Sequence, residues 1–297
     1  MNSENREELK RVFADTVSWI DENDELKEAV EKTKKGTEIF SSDDYPNTGR
    51  VLVTEEIIRV TNEKPFEAAK NLKKEYPGSK VAVLNFGNVF EPCGGEITGS
   101  DSREESMCRI STLYPCLKHS FVQEEFYNIH KKTGLPIGSD TLVYMNGVVV
   151  CKSDTTYPER LPRDKWFEVD VITAAAPDIH VECMMPDGTV IKGFKNAINQ
   201  KPLINDAVLF GYQLKRAIHI LSVAEYKKVD ALVLGAFGCG EFANSPHVVA
   251  NAFRIAIEAF PKVFREIRFA IYSTVTDNEV FDIFDGILFP EITENDE

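Results

Sequence analysis

Residues 102–106 read Ser-Arg-Glu-Glu-Ser, placing two adjacent carboxylates, Glu104 and Glu105, a few positions after the glycine-rich stretch PCGGEITG. Such a pair can run acid–base chemistry. One carboxyl protonates a leaving oxygen and then, as carboxylate, activates water against an oxocarbenium-like centre. Neighbouring residues on a helix point about 100° apart, so the two glutamates cannot face each other over one proton, and they need different jobs. The other carboxylate is then available to grip sugar hydroxyls. A competing reading needs no catalysis: S-x-x-E is the pattern of a capping box, in which Ser102 caps a helix and Glu105 reaches back to its amide, a device worth about 0.5–2 kcal/mol.

Glycines 94, 95 and 99 fall within six positions. Glycine carries a large conformational-entropy cost on folding, so this density suggests close approach to the backbone by a ligand. A second glycine segment, GAFGCGEFANSP at 235–246, also joins an apolar run to a helical pattern. It lacks the Gly-Lys-Ser/Thr ending of a Walker A loop and is not a G-x-G-x-x-G fingerprint. Strand, glycine loop and helix N-terminus nonetheless make backbone N–H groups and the helix dipole converge on an anion. Either loop alone also reads as a plain connection. Two of them, emerging where α/β sheets bind ligands, suggest a cleft for a diphosphate.

The elements that must position these loops follow from periodicity. Residues 5–35 carry two charged amphipathic helical segments with a stop at Gly36. Short β-type runs stand at TEIF and RVLVT, a helix opens at Pro65, and VAVLNF is a fully buried strand. In TLVYM-NG-VVVCK, two apolar runs flank Asn146 and Gly147, which predicts a hairpin. FEVDVITAAAP, DALVLGAF and IRFAIYS read as strands, and DAVLFGYQLKRAIHILSVAEYKK and PHVVANAFRIAIEAF as helices. The alternation predicts an α/β fold with a mixed, mostly parallel sheet flanked by helices. No repeat or low-complexity linker divides the chain, so one domain spans residues 49–297 behind an N-terminal helical extension over 1–48.

Composition bounds the function. The chain has 297 residues, 43% of them hydrophobic, and a formal net charge of −14. That charge repels polyphosphate backbones and argues against DNA as a partner. No apolar run of membrane-spanning length and no signal-peptide core occur, which predicts a cytoplasmic protein with no membrane partner. Six cysteines without a C-x-x-C pair read as reduced thiols, and Cys116 with His119 makes a poor metal site.

The run LNFGNVFEPCGGEITGSDSREESMCRISTLYPCL resembles the signature segment of microbial-type poly(ADP-ribose) glycohydrolases (PARG), a macro-domain-related family, with GAFGCGEFANSP similar to its second phosphate loop and VITAAAPDI to the strand between. The resemblance implies a macro-domain-like fold and hydrolysis of the O-glycosidic ribose–ribose bonds of poly(ADP-ribose) on modified proteins, with no metal or cofactor. By matching position it implies Glu105 as catalytic acid/base and Glu104 as the partner holding ribose hydroxyls. Asn88 would contact the distal ribose. Gly94, Gly95 and Gly99 would wrap ribose and diphosphate, while Gly238, Cys239 and Gly240 would cradle the phosphates. Phe242 would pack on ribose, its alternative being a core phenylalanine. Departures from the pattern are Cys93 in place of the first glycine of a triple, Glu96 after the last, and Arg103 in place of glutamine. Cys93 is expected to add a side chain where the backbone approaches ribose. The alternatives are a non-catalytic ADP-ribose reader, or a hydrolase acting on mono-ADP-ribosylated protein.

Overall fold

The computed structural model describes residues 3–94, 99–100, 102–134, 137–179, 183–184, 190–191, 204–273 and 278–289. Gly95 and Glu96 therefore lie outside the described residues. The strands are β1 (Glu38–Phe40), β2 (Ile57–Thr61), β3 (Val81–Gly87), β4 (Leu142–Val150), β5 (Phe167–Ala175), β6 (Cys183–Met184), β7 (Val190–Ile191), β8 (Ala231–Leu234) and β9 (Glu266–Ala270). Seven of them form one sheet in the order β1-β4-β5-β3-β8-β9-β2, and β6 pairs with β7 alone. The β1–β4 and β4–β5 pairs are antiparallel; the others in the large sheet are parallel. This is the mixed, mostly parallel sheet that the alternation of strands and helices predicts.

Period-two alternation along the strands sorts the core into two layers. Val81 and Val83 of β3, Val143 and Met145 of β4, and Val169 and Val171 of β5 face one side. Helices α1 (Ser3–Glu22), α2 (Asp24–Lys35), α3 (Pro65–Glu75), α4 (Arg103–Ile110) and α5 (Leu113–Leu117) supply the residues packed there. Short helical segments α6 (Ser120–Val122) and α7 (Asn128–Thr133), joined by a π-helical turn at Gln123–Tyr127, complete that layer. On the other face Ala82, Leu84, Ile172 and Phe269 meet α8 (Asp206–Tyr226), α9 (Pro246–Glu258) and α10 (Glu279–Leu288). Among the described residues, no helix is long and apolar enough to cross a membrane.

The N-terminal helices carry a polar outer face and an apolar stripe. Leu9, Val12 and Ile20 of α1 and Leu26 and Val30 of α2 are buried. Asn23 separates the two helices and caps the second, its Oδ1 accepting from Leu26 N at 3.0 Å. The Lys152 ammonium, buried against α1, donates to the Val12 carbonyl at 3.0 Å and pairs with Asp15 at 2.7 Å. β1 then extends the sheet edge, with Ile39 opposite Val143.

Two sequence expectations need correction. Residues 50–54 form no strand. Arg50 instead pairs with Asp230 at 2.6 Å, and Leu52 N donates to the Lys262 carbonyl at 2.9 Å, so the segment docks on loops before the sheet takes up β2 at Ile57. The Asn146-Gly147 pair makes no hairpin. β4 continues through it because β5 runs unbroken opposite: Met145 pairs with Val171 and Val148 with Val169, leaving two residues against Asp170 as a β-bulge. Gly147 takes φ +74°, its N–H donates to Asp170 Oδ1 at 3.0 Å, and its carbonyl accepts from Thr33 of α2 at 3.0 Å. A left-handed turn residue thus serves equally as a bulge residue when a partner strand is present. Gly147→Ala should destabilise the protein by about 1–2 kcal/mol through the left-handed penalty, and Gly147→Asn by less; urea unfolding of the three proteins checks the order.

Candidate active site

The site is built where β3, β5 and β8 end. β3 closes on Gly87, where a β-carbon would lie 2.7 Å from Thr173 Cγ2 of β5, so only glycine lets the chain turn there. Asn88 then folds the first loop: its Oδ1 accepts from Phe90 N at 2.7 Å and Glu91 N at 3.0 Å, an Asx turn. This leaves the Asn88 amide nitrogen beside Gly94, 3.0 Å from where a β-carbon there would stand.

Glu104 of α4 fastens this loop. Its Oε2 accepts from Asn88 N at 2.9 Å, its Oε1 from Asn85 Nδ2 at 3.2 Å, and the Cys93 amide donates to the same carboxyl. Asn85 also reaches Thr173 Oγ1 at 3.2 Å, tying β3 to β5 beneath the site. Burial pushes the Glu104 carboxyl up to about 8; the neighbouring Glu105 charge adds to the rise, and the amides of Asn88, Asn85 and Cys93 oppose it. Glu105, the next residue, is buried to 7% exposure at the head of the same helix.

The capping-box alternative is not what organises this helix start. Ser102 occupies the N-cap with extended backbone, yet its side chain makes no capping bond. Arg109 anchors the segment instead, donating to the Ser100 carbonyl at 2.5 Å and Ser106 Oγ at 2.9 Å, while its own carbonyl accepts from Thr16 of α1 at 2.5 Å. Gly99 sits under α1 at φ +68°, where a β-carbon would meet the Arg6 carbonyl at 2.3 Å. Its glycine is thus required by packing of the N-terminal helix.

The cysteine expectations change here. Cys93 and Cys108 form a disulfide with Cα atoms 6.7 Å apart, so they are not thiols, whereas Cys116, Cys151 and Cys239 are free. Cys93 is fully buried and its side chain turns into the core beneath the loop, away from the position expected against ribose. The reason is steric direction: φ of +51° points its β-carbon toward α4.

The second loop follows β8. A β-carbon on Gly235 would stand 3.0 Å from the Phe86 ring and 3.1 Å from the Ala270 carbonyl, so glycine lets both come close. Gly238 takes φ +80° against Ala176 and Asn244. Asn244 is the clasp of this loop: its N–H donates to the Gly238 carbonyl at 3.0 Å, its Nδ2 to the Pro177 carbonyl at 2.6 Å, and its Oδ1 accepts from Gln213 of α8 at 2.6 Å. Gly240 is exposed with open space about it, and Phe242 is half-buried against the second core layer. Burial pushes the Cys239 thiol up to about 12, which removes it as a thiolate nucleophile at neutral pH. The Arg103 guanidinium, first residue of α4, lies within electrostatic reach of Cys239 and Asp154, so the second loop stands beside the helix that carries the glutamates.

Residues 12–153, from within α1 to just past β4, match the family model for the microbial-type PARG catalytic domain. Over this stretch the chain is similar to the microbial-type PARG catalytic domain. Solved PARG structures extend the likeness over nearly the whole fold. The Thermomonospora curvata poly(ADP-ribose) glycohydrolase is 25% identical with a TM-score of 0.77, covering 94% of this chain and 98% of that one. The same enzyme bound to the inhibitor ADP-HPD gives 26% identity and a TM-score of 0.74, covering 93% and 97%. The Deinococcus radiodurans enzyme in complex with ADP-ribose gives 27% and 0.71, covering 87% and 96%. Among curated proteins none matches. The fold is accordingly macro-domain-like, as in these PARG structures.

The PARG fold brings Asn88, Gly94, Glu104 and Glu105 together at the first loop and Gly238, Cys239, Gly240 and Phe242 at the second. Sequence reading missed Asn85, Thr173, Asn244 and Gln213, the polar residues that hold both loops. Asn85 was signalled by its place inside the apolar run VAVLNF, where a buried amide needs partners. A cavity of about 290 Å³, lined among others by Lys64, Arg103, Ser106 and Tyr272, was also missed. It opens along the flank of α4, with Lys64 held by Asp154 at 3.0 Å.

Because burial favours the protonated Glu104, the native state binds more protons than the unfolded chain between about 4.5 and about 8. Its stabilising contribution is therefore complete below that window and lost as pH rises through it. Melting temperatures of wild type and Glu104→Gln measured across the window should diverge, the wild type falling more steeply; parallel curves would show that Glu104 titrates elsewhere.

Proposed function

We propose that this protein hydrolyses the O-glycosidic ribose–ribose bonds of poly(ADP-ribose) and releases ADP-ribose, reversing ADP-ribosylation of modified proteins in the cytoplasm, with neither DNA nor membrane as partner. The observation that supports the reading most is the division of labour at the head of α4. Glu104 accepts three N–H donors from β3 and the first loop, so its neighbour Glu105 is the carboxyl assigned to the chemistry.

Glu105 would protonate the departing ribose oxygen and, as carboxylate, take a proton from the water that attacks the oxocarbenium-like anomeric carbon. Burial holds the Glu104 carboxyl protonated at neutral pH, so with its lone pairs engaged by three N–H donors its O–H would donate to a ribose hydroxyl. The hydroxyl would then be read by the same group that shapes the loop. Asn88 Nδ2 beside Gly94 would face the distal ribose. The backbone of Gly238, Cys239 and Gly240 and the N-terminus of α9 would receive the diphosphate, with Phe242 along the ribose.

Glu105→Gln should abolish most release of ADP-ribose from labelled polymer while ADP-ribose still binds, since the amide keeps the shape of the side chain but cannot cycle a proton. Full activity in this variant would overturn the assignment. ADP-ribose at a hundredfold excess over its Kd should stabilise the folded protein by about 2.7 kcal/mol, and AMP, which engages one phosphate region only, by less; thermal shifts read the difference, and equal shifts would count against a diphosphate cleft.

A further inference from the structure

The PARG reading uses both glutamates and both loops but leaves the Cys93–Cys108 bond without a role. Cys93 stands at φ +51°, in the left-handed region that a β-carbon disfavours, and at the position where the family pattern has the first glycine of its triple. A cysteine there must be offset by what its side chain does. It is fully buried and bonded to Cys108, which lies one turn after Glu104 on the same face of α4. α4 therefore grips this one residue twice: Glu104 accepts its amide, and Cys108 holds its sulfur. The bond closes a loop with a sequence separation of 15, and that loop contains Gly94, Gly99, Arg103, Glu104 and Glu105. The ring thus spans from the first glycine loop to the helix start that carries both glutamates.

We propose that the Cys93–Cys108 disulfide is a positioning tie that holds the first glycine loop on the catalytic helix, so that affinity for ADP-ribose and its polymer depends on the redox state of this pair. The ligand named here rests on the PARG reading; the tie itself does not. Reduction proceeds by thiol–disulfide exchange with a dithiol. Its thiolate attacks one sulfur, the Cys93–Cys108 bond breaks, and the displaced cysteine leaves as thiolate and takes up a proton. The second thiol of the reductant then closes the reductant's own disulfide and releases the other cysteine. Two electrons and two protons pass to the protein. Both sulfurs are buried, so attack requires the loop to lift, and bound ligand should slow it. Cys116, Cys151 and Cys239, whose thiols burial pushes up to about 12, do not compete as thiolates.

The test compares the whole protein before and after treatment with a small dithiol. Unreduced, denatured protein should show four titratable thiols, six cysteines less the bonded two, and six after reduction. If the untied loop is competent about a tenth of the time, Kd for ADP-ribose and KM for polymer rise about tenfold, while kcat at saturating polymer changes little. Hydrogen exchange of residues 88–94 should quicken on reduction. Cys108→Ser should match the reduced wild type without reductant, and neither it nor Cys93→Gly should respond to reductant further. Should Cys108→Ser fail to fold, the reduced wild type supplies the same measurement. Six thiols before reduction, or unchanged Kd, KM and exchange after it, would overturn the proposal. Absence of both ADP-ribose binding and polymer cleavage in either state would instead overturn the PARG reading, and exchange at 88–94 would still decide the tie.

Discussion

The carboxyl group of Glu104 is buried where β3, the first glycine loop and α4 meet, and each of these is tied to it by a hydrogen bond or by the chain itself. Asn85 comes from the strand, Asn88 and Cys93 from the loop, and the carboxyl from the helix. A buried ionisable group is tolerable only when its oxygens are satisfied, and here the donors that satisfy it also set the shape of the loop. Its neighbour on the helix, Glu105, is buried at the same helix start. The 100° step between adjacent helical residues turns only Glu104 onto these donors.

The rest of the architecture serves that junction. α1 is pinned to α4 by Thr16 and to the end of β4 by Lys152, and its Arg6 carbonyl covers Gly99. On the opposite face α8 sends Gln213 to Asn244, which clasps the second loop to the chain after β5. The two loops are therefore held from opposite layers of the sheet, and the sheet fixes the distance between them. Arg103 of α4 lies within electrostatic reach of Cys239 in the second loop.

Much of this was legible in the sequence, because strand and helix periods, glycine loops and the Glu104-Glu105 pair are local signals. What was not legible depends on partners distant in the chain. Asn146 and Gly147 carry the φ preferences of a hairpin, but whether the strands fold back or run on is decided by β5, some twenty residues later. RVLVT has strand composition, yet Arg50 finds Asp230 and the segment is drawn off the sheet. Cys93 and Cys108 share no recognisable spacing motif; only the turn at Asn88 and the pitch of α4 bring their sulfurs together. Asn85 was visible as a polar residue in an apolar run, but its partner could not be named before the helix was placed over it.

The order of strands in the sheet also governs how the chain is assembled. β2 pairs only with β9, Ile57 opposite Glu266, so 209 residues separate the partners. β3, the strand that delivers the first loop, waits similarly for β8, with Val81 opposite Ala231. At about 5–20 residues per second of synthesis, the β2 segment emerges on the order of 10–40 s before its only neighbour exists. During that interval the antiparallel part, β1, β4 and β5 with β3 beside them, can already form, since its members lie within the first 175 residues. The half of the sheet on which α4 packs is thus available early, and the glycine loop after β8 is added to a scaffold that has already taken shape.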